Sequence, residues 1–328
     1  MNKIKYIMLI ILLMTGSNTF AQLFPVLGGQ RAGISTAQFL KIGVGARATA
    51  LGDAFVAISD DASALYWNAA GLAQFKDSEI IISHSAWLVD INHDFLGAVY
   101  HLDSDNTIGV SFTSLWMDKM AVTTEFAPFG TGEYFGFSDI AIGISYARQM
   151  TDQFSFGGTV KYVEETLDKL SMRGIMIDLG TYYKTGLGST RFAVVVSNFG
   201  AELAPDGDVV LVGNREQSEW QSFAPPTIFR IGFAFEPIES EENILTTAIQ
   251  LNHPNDNSEN VSLGAEYSWR KILYLRAGYK FNVDEQNYTF GAGVNVPISI
   301  AQFNFDYAYS NFVKLGSAHR FSIILGLE

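Results

Sequence analysis

The stretch Asp139–Arg148 has the sequence DIAIGISYAR, in which large apolar residues alternate with small or polar ones. The large residues are Ile140, Ile142, Ile144 and Tyr146. Because successive side chains of a β-strand point to opposite faces, this period of two predicts a strand with one apolar face and one face of small or polar residues.

The same alternation recurs from Ser78 almost to the end of the chain. We predict fourteen strands, at approximately Ser78–Leu88, Asp94–Leu102, Thr107–Met117, Asp139–Arg148, Phe154–Glu165, Met172–Thr185, Thr190–Asn198, Thr227–Phe235, Asn243–Asn252, Asn260–Trp269, Ile272–Phe281, Tyr288–Val296, Ile300–Asn311 and Ala318–Leu327. Most are near the length of about 9 to 11 residues with which a tilted strand crosses a bilayer. A soluble β-sandwich would also alternate, so the connections must distinguish the two folds.

The connections between these segments broadly alternate in length. Short ones lie at 103–106, 149–153, 186–189, 270–271 and 297–299, whereas the long ones at 118–138 and 199–226 fall on the opposite side. Outer-membrane barrels have this asymmetry of short periplasmic turns and longer external loops. The fold predicted is therefore all-β: a 14-stranded antiparallel transmembrane outer-membrane β-barrel, surrounded by outer-membrane lipid.

The stretch Ala46–Phe75 interrupts this pattern with small residues and a helical apolar spacing. Leu51, Phe55 and Ile58 recur at i, i+4 and i+7, which predicts one apolar helical face. Asp60 and Asp61 are suited to ending that helix and capping the next turn, and Asn68 with Gly71 predicts a turn with one residue at positive φ. On pattern alone the stretch is equally an end cap of the barrel or a plug inside it.

The barrel interior favours the plug. Predicted interior positions are mostly glycine, alanine, serine and threonine, which leaves space for it, and an even strand count returns the C-terminus to the side of the N-terminus, so that the stretch can reach the barrel mouth from the periplasm. We therefore predict a short, partly helical N-terminal hatch. Its candidate residues are Arg47, Leu51, Gly52, Asp53, Phe55, Asp60, Asp61, Trp67, Asn68 and Gly71.

The first 21 residues have the pattern of a secretory signal peptide. Lys3 and Lys5 precede the apolar run Tyr6–Met14, and small residues before Gln22 suggest cleavage there. The predicted division is a signal peptide at 1–21, a lead-in and hatch at 22–77, and a transmembrane barrel at 78–328. The absence of cysteine excludes disulfides and a lipid-anchored cysteine.

Composition and motifs give no support for an enzyme. A formal charge of −13 makes nucleic acid an unsuitable partner. The five histidines lack the spacing of a metal site, Gly43-Val44-Gly45 lacks the third glycine of a dinucleotide fingerprint, and no cofactor is expected.

The two long loops carry more apolar material than a solvated loop needs. Their candidate partner-binding residues are Phe126, Phe129, Tyr134, Phe135, Trp220 and Phe223. Exposed aromatics of this kind suggest a partner or ligand surface. The alternative, given equal weight, is that both loops fold inward and pack on each other over the barrel mouth.

The small-residue stretch resembles the FadL-type outer-membrane barrels, and most closely their PorV/PorQ-type branch from Bacteroidota-like bacteria. The resemblance lies in Ala46-Arg47-Ala48, in ALGDAFVA at 50–57, in DDASALYWN at 60–68 and in Ala70-Gly71-Leu72. The usual Asn-Pro-Ala of the family is replaced here by Asn68-Ala69-Ala70, which frees φ at that position.

The resemblance implies one of two functions in a Gram-negative outer membrane. PorV/PorQ-type proteins act in type IX secretion, where they handle cargo or anchor surface components, which implies a secreted or cell-surface protein partner. FadL-type relatives take hydrophobic molecules past an N-terminal hatch, which would imply a hydrophobic ligand. The length of the chain and the closeness of the motif favour the first.

Overall fold

The computed structural model describes residues 33–207, 209–211, 215–217, 220–284, 286–298 and 301–327. The predicted signal peptide and the first part of the lead-in lie outside the described residues. Within the described part of the chain, no helix is both long enough and apolar enough to cross a membrane.

Fourteen antiparallel strands form a closed barrel, as the alternation predicted. In chain order they are β1 (Ser78–Ala86), β2 (Asn92–His101), β3 (Asn106–Trp116), β4 (Phe137–Gln149), β5 (Phe154–Leu167), β6 (Leu170–Lys184), β7 (Arg191–Gly200), β8 (Ile228–Glu239), β9 (Asn243–Pro254), β10 (Asn260–Trp269), β11 (Leu273–Phe281), β12 (Tyr288–Ile298), β13 (Ala301–Phe312) and β14 (Gly316–Leu327). Each strand pairs with its neighbours in sequence, and β1 pairs with β14 from Ser78 opposite Leu327 to Ala86 opposite His319.

The alternation in sequence becomes an alternation between the outer wall and the lumen. On β4, Ile142 and Ile144 point outward and are exposed, whereas Ala141 and Ala147 point inward and are buried. The pairing of β3 with both neighbours is continuous. Register shifts lie at Ile177/Leu179 between β6 and β7 and at Phe235/Ile238 between β8 and β9.

The two ends of the barrel differ. The long β3–β4 and β7–β8 connections lie at one end, which we call the outer end, together with short turns such as β5–β6 and β13–β14. At the other end, which we call the inner end, every connection is short. Each long connection contains a small hairpin, Met120–Ala121 with Tyr134–Phe135 in the first and Val209–Leu211 with Arg215–Gln217 in the second.

Between residue 33, where the described part of the chain begins, and β1 there are four short helical elements. They are a 3-10 helix at Gln38–Lys41, α1 at Ala46–Ala50, α2 at Ala64–Trp67, and a second 3-10 helix at Ala69–Ala73. They contact the inward face of many strands, α1 that of β11 to β14 and the second 3-10 helix that of β3 to β6.

Candidate functional site

Residues 43–75, which we call the lumenal segment, lie inside the closed barrel. Every residue from Gly43 to Leu72 is buried except Arg47, Asp53, Asp60 and Tyr66. The ten candidate hatch residues all belong to this segment. The structure therefore brings them together in the lumen, although their role as a hatch stays a prediction.

The segment runs the whole length of the lumen. Residues 33–42, which we call the mouth segment, lie at the outer end, where Phe39 and Leu40 pack with Leu115 and Leu203. The far end of the lumenal segment lies at the inner end, where Phe75 contacts His101 of β2 with ring centroids 5.4 Å apart. The sequence predicts a plug inside the barrel rather than an end cap, and the segment lies inside the barrel.

The predicted amphipathic helix over Leu51, Phe55 and Ile58 is wrong. Helix α1 ends at Ala50, because Gly52 and Asp53 both have positive φ, 65° and 64°. The three apolar side chains still share one buried cluster, which they reach through turns rather than through a helix. Their common burial was therefore correctly predicted and their helical geometry was not.

The turn at Asn68 also differs from the prediction. Asn68 has an extended φ of −162°, and its Oδ1 accepts a hydrogen bond from the backbone N of Ala70 at 3.1 Å, which caps the second 3-10 helix. Gly71, which the structure describes, does not have a positive φ. It is needed for space, since a Cβ there would lie 2.2 Å from the carbonyl oxygen of Ser59. Asp61 does cap the turn into α2, accepting from the backbone N of Ser63 at 2.8 Å.

Eight glycines of the barrel wall lie directly against the lumenal segment. They are Gly97, Gly109, Gly157, Gly180, Gly232, Gly264, Gly278 and Gly291, on eight different strands. A Cβ at any of them would lie between 2.0 and 2.7 Å from an atom of the segment, and the shortest distance joins Gly278 to the backbone N of Gly52. Since no real Cβ makes such contacts, the wall and the segment form one tightly packed body.

Arg47 joins the segment to the wall through a network of charges. Its Nε and Nη2 donate to the two carboxylate oxygens of Glu266 on β10, each at 2.9 Å, and its Nη1 donates to Asp61 at 2.9 Å and to Asp60 at 2.5 Å. Glu266 also accepts from Arg276 of β11 at 2.6 Å. A two-pronged guanidinium–carboxylate pair of this kind fixes orientation as well as charge.

Polar side chains of the wall hold the backbone of the segment. Gln250 of β9 accepts from the backbone N of Phe55 at 3.0 Å, and Asn68 Nδ2 donates to the carbonyl oxygen of Thr181 on β6 at 3.2 Å. The indole of Trp67 donates to the carbonyl oxygen of Val44 at 2.8 Å within the segment. The bonds to the backbone of Phe55 and Val44 satisfy buried groups that lie outside regular helix or strand.

Cavities remain in the lumen between the described residues, and we consider three of them, two toward the outer end and one toward the inner end. The outer cavities have volumes of about 170 and 220 Å³, and the inner cavity has a volume of about 540 Å³. The outer pair are lined by four cationic side chains, Lys41, Arg230, Lys280 and Arg320, and by one carboxylate, Asp53. The inner cavity is lined by four cations and five carboxylates. The lining of the outer pair thus carries a net positive charge although the whole chain is acidic.

Metal chemistry finds no support in this arrangement. Within the described ranges, no group of three or more histidine, aspartate or glutamate side chains could hold a metal ion. Several charged side chains of the lumen instead pair with one another, within the segment, within the wall and between the two.

The candidate partner-binding aromatics fall into two groups. Phe126 and Phe129, near the tip of the β3–β4 hairpin, are 98% and 101% exposed, and Tyr134 is 63% exposed. The remaining three, Phe135, Trp220 and Phe223, are only partly exposed. Trp220 donates to the carbonyl oxygen of Gly207 at 3.0 Å and Phe223 pairs with Leu203, so that the second loop packs on itself and on the mouth segment.

The family model of the type IX secretion system protein PorV matches residues 28–254, about two thirds of the chain and all of the lumenal segment. The chain belongs to the PorV family. Membership and fold together indicate the outer membrane as its location, with the outward apolar face of the barrel against lipid. Comparison with curated proteins gives no match.

Solved structures of FadL-type barrels share this PorV-family chain's fold. It is similar to the CymD monoaromatic hydrocarbon channel, with a TM-score of 0.60, 16% identity, and coverage of 88% of this chain and 98% of that one. The toluene transporter TbuX of Ralstonia pickettii gives a TM-score of 0.58, 12% identity and coverage of 87% and 97%. A FadL homologue of Pseudomonas aeruginosa gives a TM-score of 0.54 and 12% identity, with coverage of 92% of this chain and 99% of that one. At these identities the likeness concerns the fold alone.

Sequence reasoning missed the wall residues that hold the segment. Glu266 and Gln250 bond the segment directly, and Arg276 bonds Glu266; all three occupy the inward phase of their strands, opposite the apolar phase that faces outward. A charged residue in the inward phase of a strand therefore predicts a side chain that faces the lumen. Which of them meet the lumenal segment depends on strand register, which the period of two does not give.

Proposed function

We propose that this chain is a non-enzymatic component of type IX protein secretion or surface attachment, which engages a secreted or cell-surface protein at the outer end of a sealed barrel. In this proposal residues 22–77 serve as the hatch and residues 78–328 as the membrane barrel of a Gram-negative, Bacteroidota-like cell. The observation that carries it is the contrast between a filled lumen and fully exposed aromatic side chains outside it.

The lumen supports a sealing role rather than a conducting one. The lumenal segment meets wall glycines on eight strands with no space for a methyl group between them. The cavities on either side of the segment have mixed linings, in which charged and amide side chains lie beside apolar ones such as Trp67 and Ile228. A pathway for a hydrophobic solute would instead be lined mainly by apolar and aromatic side chains.

The β3–β4 hairpin supports partner binding. Phe126 and Phe129 expose their whole side chains to solvent, close to each other in sequence, on a hairpin that projects from the outer end. Aromatic residues of this kind dominate the binding energy of protein interfaces when a partner buries them.

The proposal is tested by the double substitution Phe126→Ser and Phe129→Ser in the producing organism. We expect the variant barrel to be made and to keep its shift in gel mobility between unheated and boiled samples. We also expect loss of the secreted or surface protein that copurifies with the wild type, and a fall in secretion of about tenfold or more, because two central aromatics contribute about 2 kcal/mol or more to such an interface.

A matched control is Leu187→Ser, which removes an exposed apolar side chain, 77% exposed, from a short turn at the inner end. It should leave copurification and secretion unchanged. Unimpaired secretion by the Phe126 and Phe129 variant would refute the proposed outer-end surface.

The alternative proposal is a channel for hydrophobic small molecules, and it requires the lumenal segment to move. Ala50 of the segment and Ala308 of β13 share one buried apolar cluster, and the chain has no native cysteine. Ala50→Cys with Ala308→Cys is the pair to test for a disulfide that fixes the segment to the wall, with its formation checked by counting free thiols. Secretion that continues with the disulfide closed supports the sealed barrel, whereas uptake of an apolar solute that stops on oxidation and returns on reduction supports the channel.

A further inference from the structure

Three neighbouring inward side chains near the outer end have polar atoms without partners. Ser85 of β1 lies opposite His93 of β2 on one side and opposite Arg320 of β14 on the other. All three side chains are at most 2% exposed. Ser85 Oγ, His93 Nε2, and Nε and Nη2 of Arg320 have no hydrogen-bond partner among the described residues. Neither neighbour therefore accepts a hydrogen bond from those two guanidinium nitrogens.

Arg320 also lines the outer cavity of about 220 Å³. Trp87 and Phe312 give this cavity an apolar side, with ring centroids 5.0 Å apart, and the guanidinium carbon of Arg320 lies 5.8 Å from the Trp87 ring centre. Such a ring contact uses the charge of the guanidinium but leaves its hydrogen-bond donors free.

The other two cations of this cavity already have carboxylate partners. Lys41 pairs with Asp256 at 2.9 Å, and Lys280 pairs with Asp53 of the lumenal segment. No carboxylate among the described residues lies within the 4.0 Å of an ion pair with Arg320. Arg320 is thus the uncompensated charge of a positively charged cavity, and a buried charge is costly unless it is paired.

We propose that this cavity binds a small oxyanion of the phosphate, sulfate or carboxylate class, which enters from the outer end. Arg320 supplies a positive charge without a carboxylate partner, Lys280 supplies a second positive charge that it shares with the Asp53 carboxylate, and the Trp87 and Phe312 rings exclude water from one side. The proposal rests on the cavity alone and stands whether or not the barrel acts in secretion.

The test uses the full mature chain purified in detergent, at constant ionic strength, with sodium chloride replaced stepwise by sodium phosphate, sulfate or acetate. A ligand that binds the folded state raises the unfolding temperature with saturating dependence on concentration. We expect such a rise for at least one of the three anions and none for further chloride. The anion that saturates at the lowest concentration identifies the preferred group.

Arg320→Gln should abolish the rise, and without added oxyanion it should unfold at or above the wild-type temperature, because it removes an unpaired buried charge. Arg173→Gln, which changes an arginine 59% exposed at its side chain, should respond as the wild type does. Lys280→Gln should raise the half-saturating concentration of the oxyanion at least tenfold. If Arg320→Gln does not fold, this measurement on Lys280→Gln tests the proposed site.

The proposal is overturned by an equal rise in Arg320→Gln, by an unaltered half-saturating concentration in Lys280→Gln, or by a wild type that shows no saturating response to any of the three oxyanions. An equal response to chloride also overturns it, since that is a general effect of salt.

Discussion

The lumenal segment and the β3–β4 hairpin are both rich in apolar residues outside regular strands, yet they have opposite surroundings. Phe55 and Trp67 of the segment are at most 2% exposed and pack edge to face with ring centroids 6.2 Å apart. Phe126 and Phe129 of the hairpin are wholly exposed. Similar side chains thus stabilise the folded state in one region and remain free for a partner in the other.

The difference comes from what surrounds each region. Around the segment, the wall has glycine where the backbone approaches and Glu266, Gln250 or Thr289 where a polar group needs a partner. The hairpin has its own short strand pair, Met120–Ala121 with Tyr134–Phe135, and a hydrogen bond from the backbone N of Asp168 to the carbonyl oxygen of Gly136 at its base. Stability is therefore concentrated in the lumen, and substitutions there should be felt far more strongly than substitutions in the hairpin.

The largest expected effect is that of Arg47→Met. Removing the guanidinium leaves Asp61 and one side of Glu266 buried without a counter-charge, and breaking a buried pair typically costs about 3 to 5 kcal/mol. Because the Arg47 side chain is 19% exposed, we expect the lower part of that range. The measurement is urea unfolding of the purified barrel, together with the permeability of proteoliposomes to small solutes, which should rise.

Its control is Arg270→Met, which breaks an arginine–glutamate pair of similar length, 2.7 Å, at the inner end, where both side chains are more than half exposed. A pair of that kind contributes about 0 to 1 kcal/mol. Equal losses of stability from the two substitutions would mean that the Arg47 network does not hold the segment in the barrel.

Gly278→Ala should have the next largest effect. Its Cβ would lie 2.0 Å from the backbone N of Gly52 and 2.6 Å from Thr289 Oγ1, so the segment must shift away from β11. Overpacking of this kind costs about 1 to 3 kcal/mol. Solute permeability should increase, because the displaced contact is part of the seal. Gly326→Ala is the matched substitution on β14, where the nearest atoms would be 3.8 Å from the new Cβ, and it should change neither stability nor permeability.

The strands could be predicted from the sequence because their signal is local. Side chains alternate between the two faces of a strand with a period of two, and the residue types alternate with the same period. This pattern therefore predicted fourteen strands in antiparallel order, with boundaries within four residues of those observed. The position of Phe235 illustrates the limit: the predicted strand ended there, whereas β8 continues to Glu239 past a register shift at the inner end.

The path of the lumenal segment could not be predicted because residues far away in sequence determine it. Leu51 and Phe55 have helical spacing, yet the chain leaves the helix at Gly52, where it passes the backbone of Gly278 on β11. Likewise nothing near Arg47 in sequence indicates Glu266, which becomes its neighbour only through the register of β10 and the closure of the barrel. The local pattern therefore predicts that the segment is buried, whereas its contacts with the barrel determine its conformation.

The mouth segment contains both buried and exposed residues, so that it is intermediate between the lumenal segment and the β3–β4 hairpin. Its attachment depends on Asp256, and we expect a substitution there to have the smallest of the three effects. Asp256, in the β9–β10 loop, accepts hydrogen bonds from Gln38 at 2.7 Å and Lys41 at 2.9 Å, and also from Ser35. Burial alone would raise the pKa of Asp256, but the hydrogen bonds from Ser35, Lys41 and Gln38 outweigh it and hold the pKa below its ordinary value.

Asp256→Asn should therefore lower stability by about 1 to 2 kcal/mol at neutral pH, the scale of hydrogen bonds to a charged group. Because the carboxylate has a lower pKa when folded, its stabilisation is complete above the unfolded pKa of about 3.9 and is lost as the pH falls through the folded value. The difference in urea midpoint between wild type and variant should accordingly be constant near neutral pH and disappear in strong acid. Asp152→Asn, at an exposed inner turn, should give no difference at either pH. A difference for Asp256→Asn that persisted unchanged into strong acid would show that the side chain acts through packing rather than through its charge.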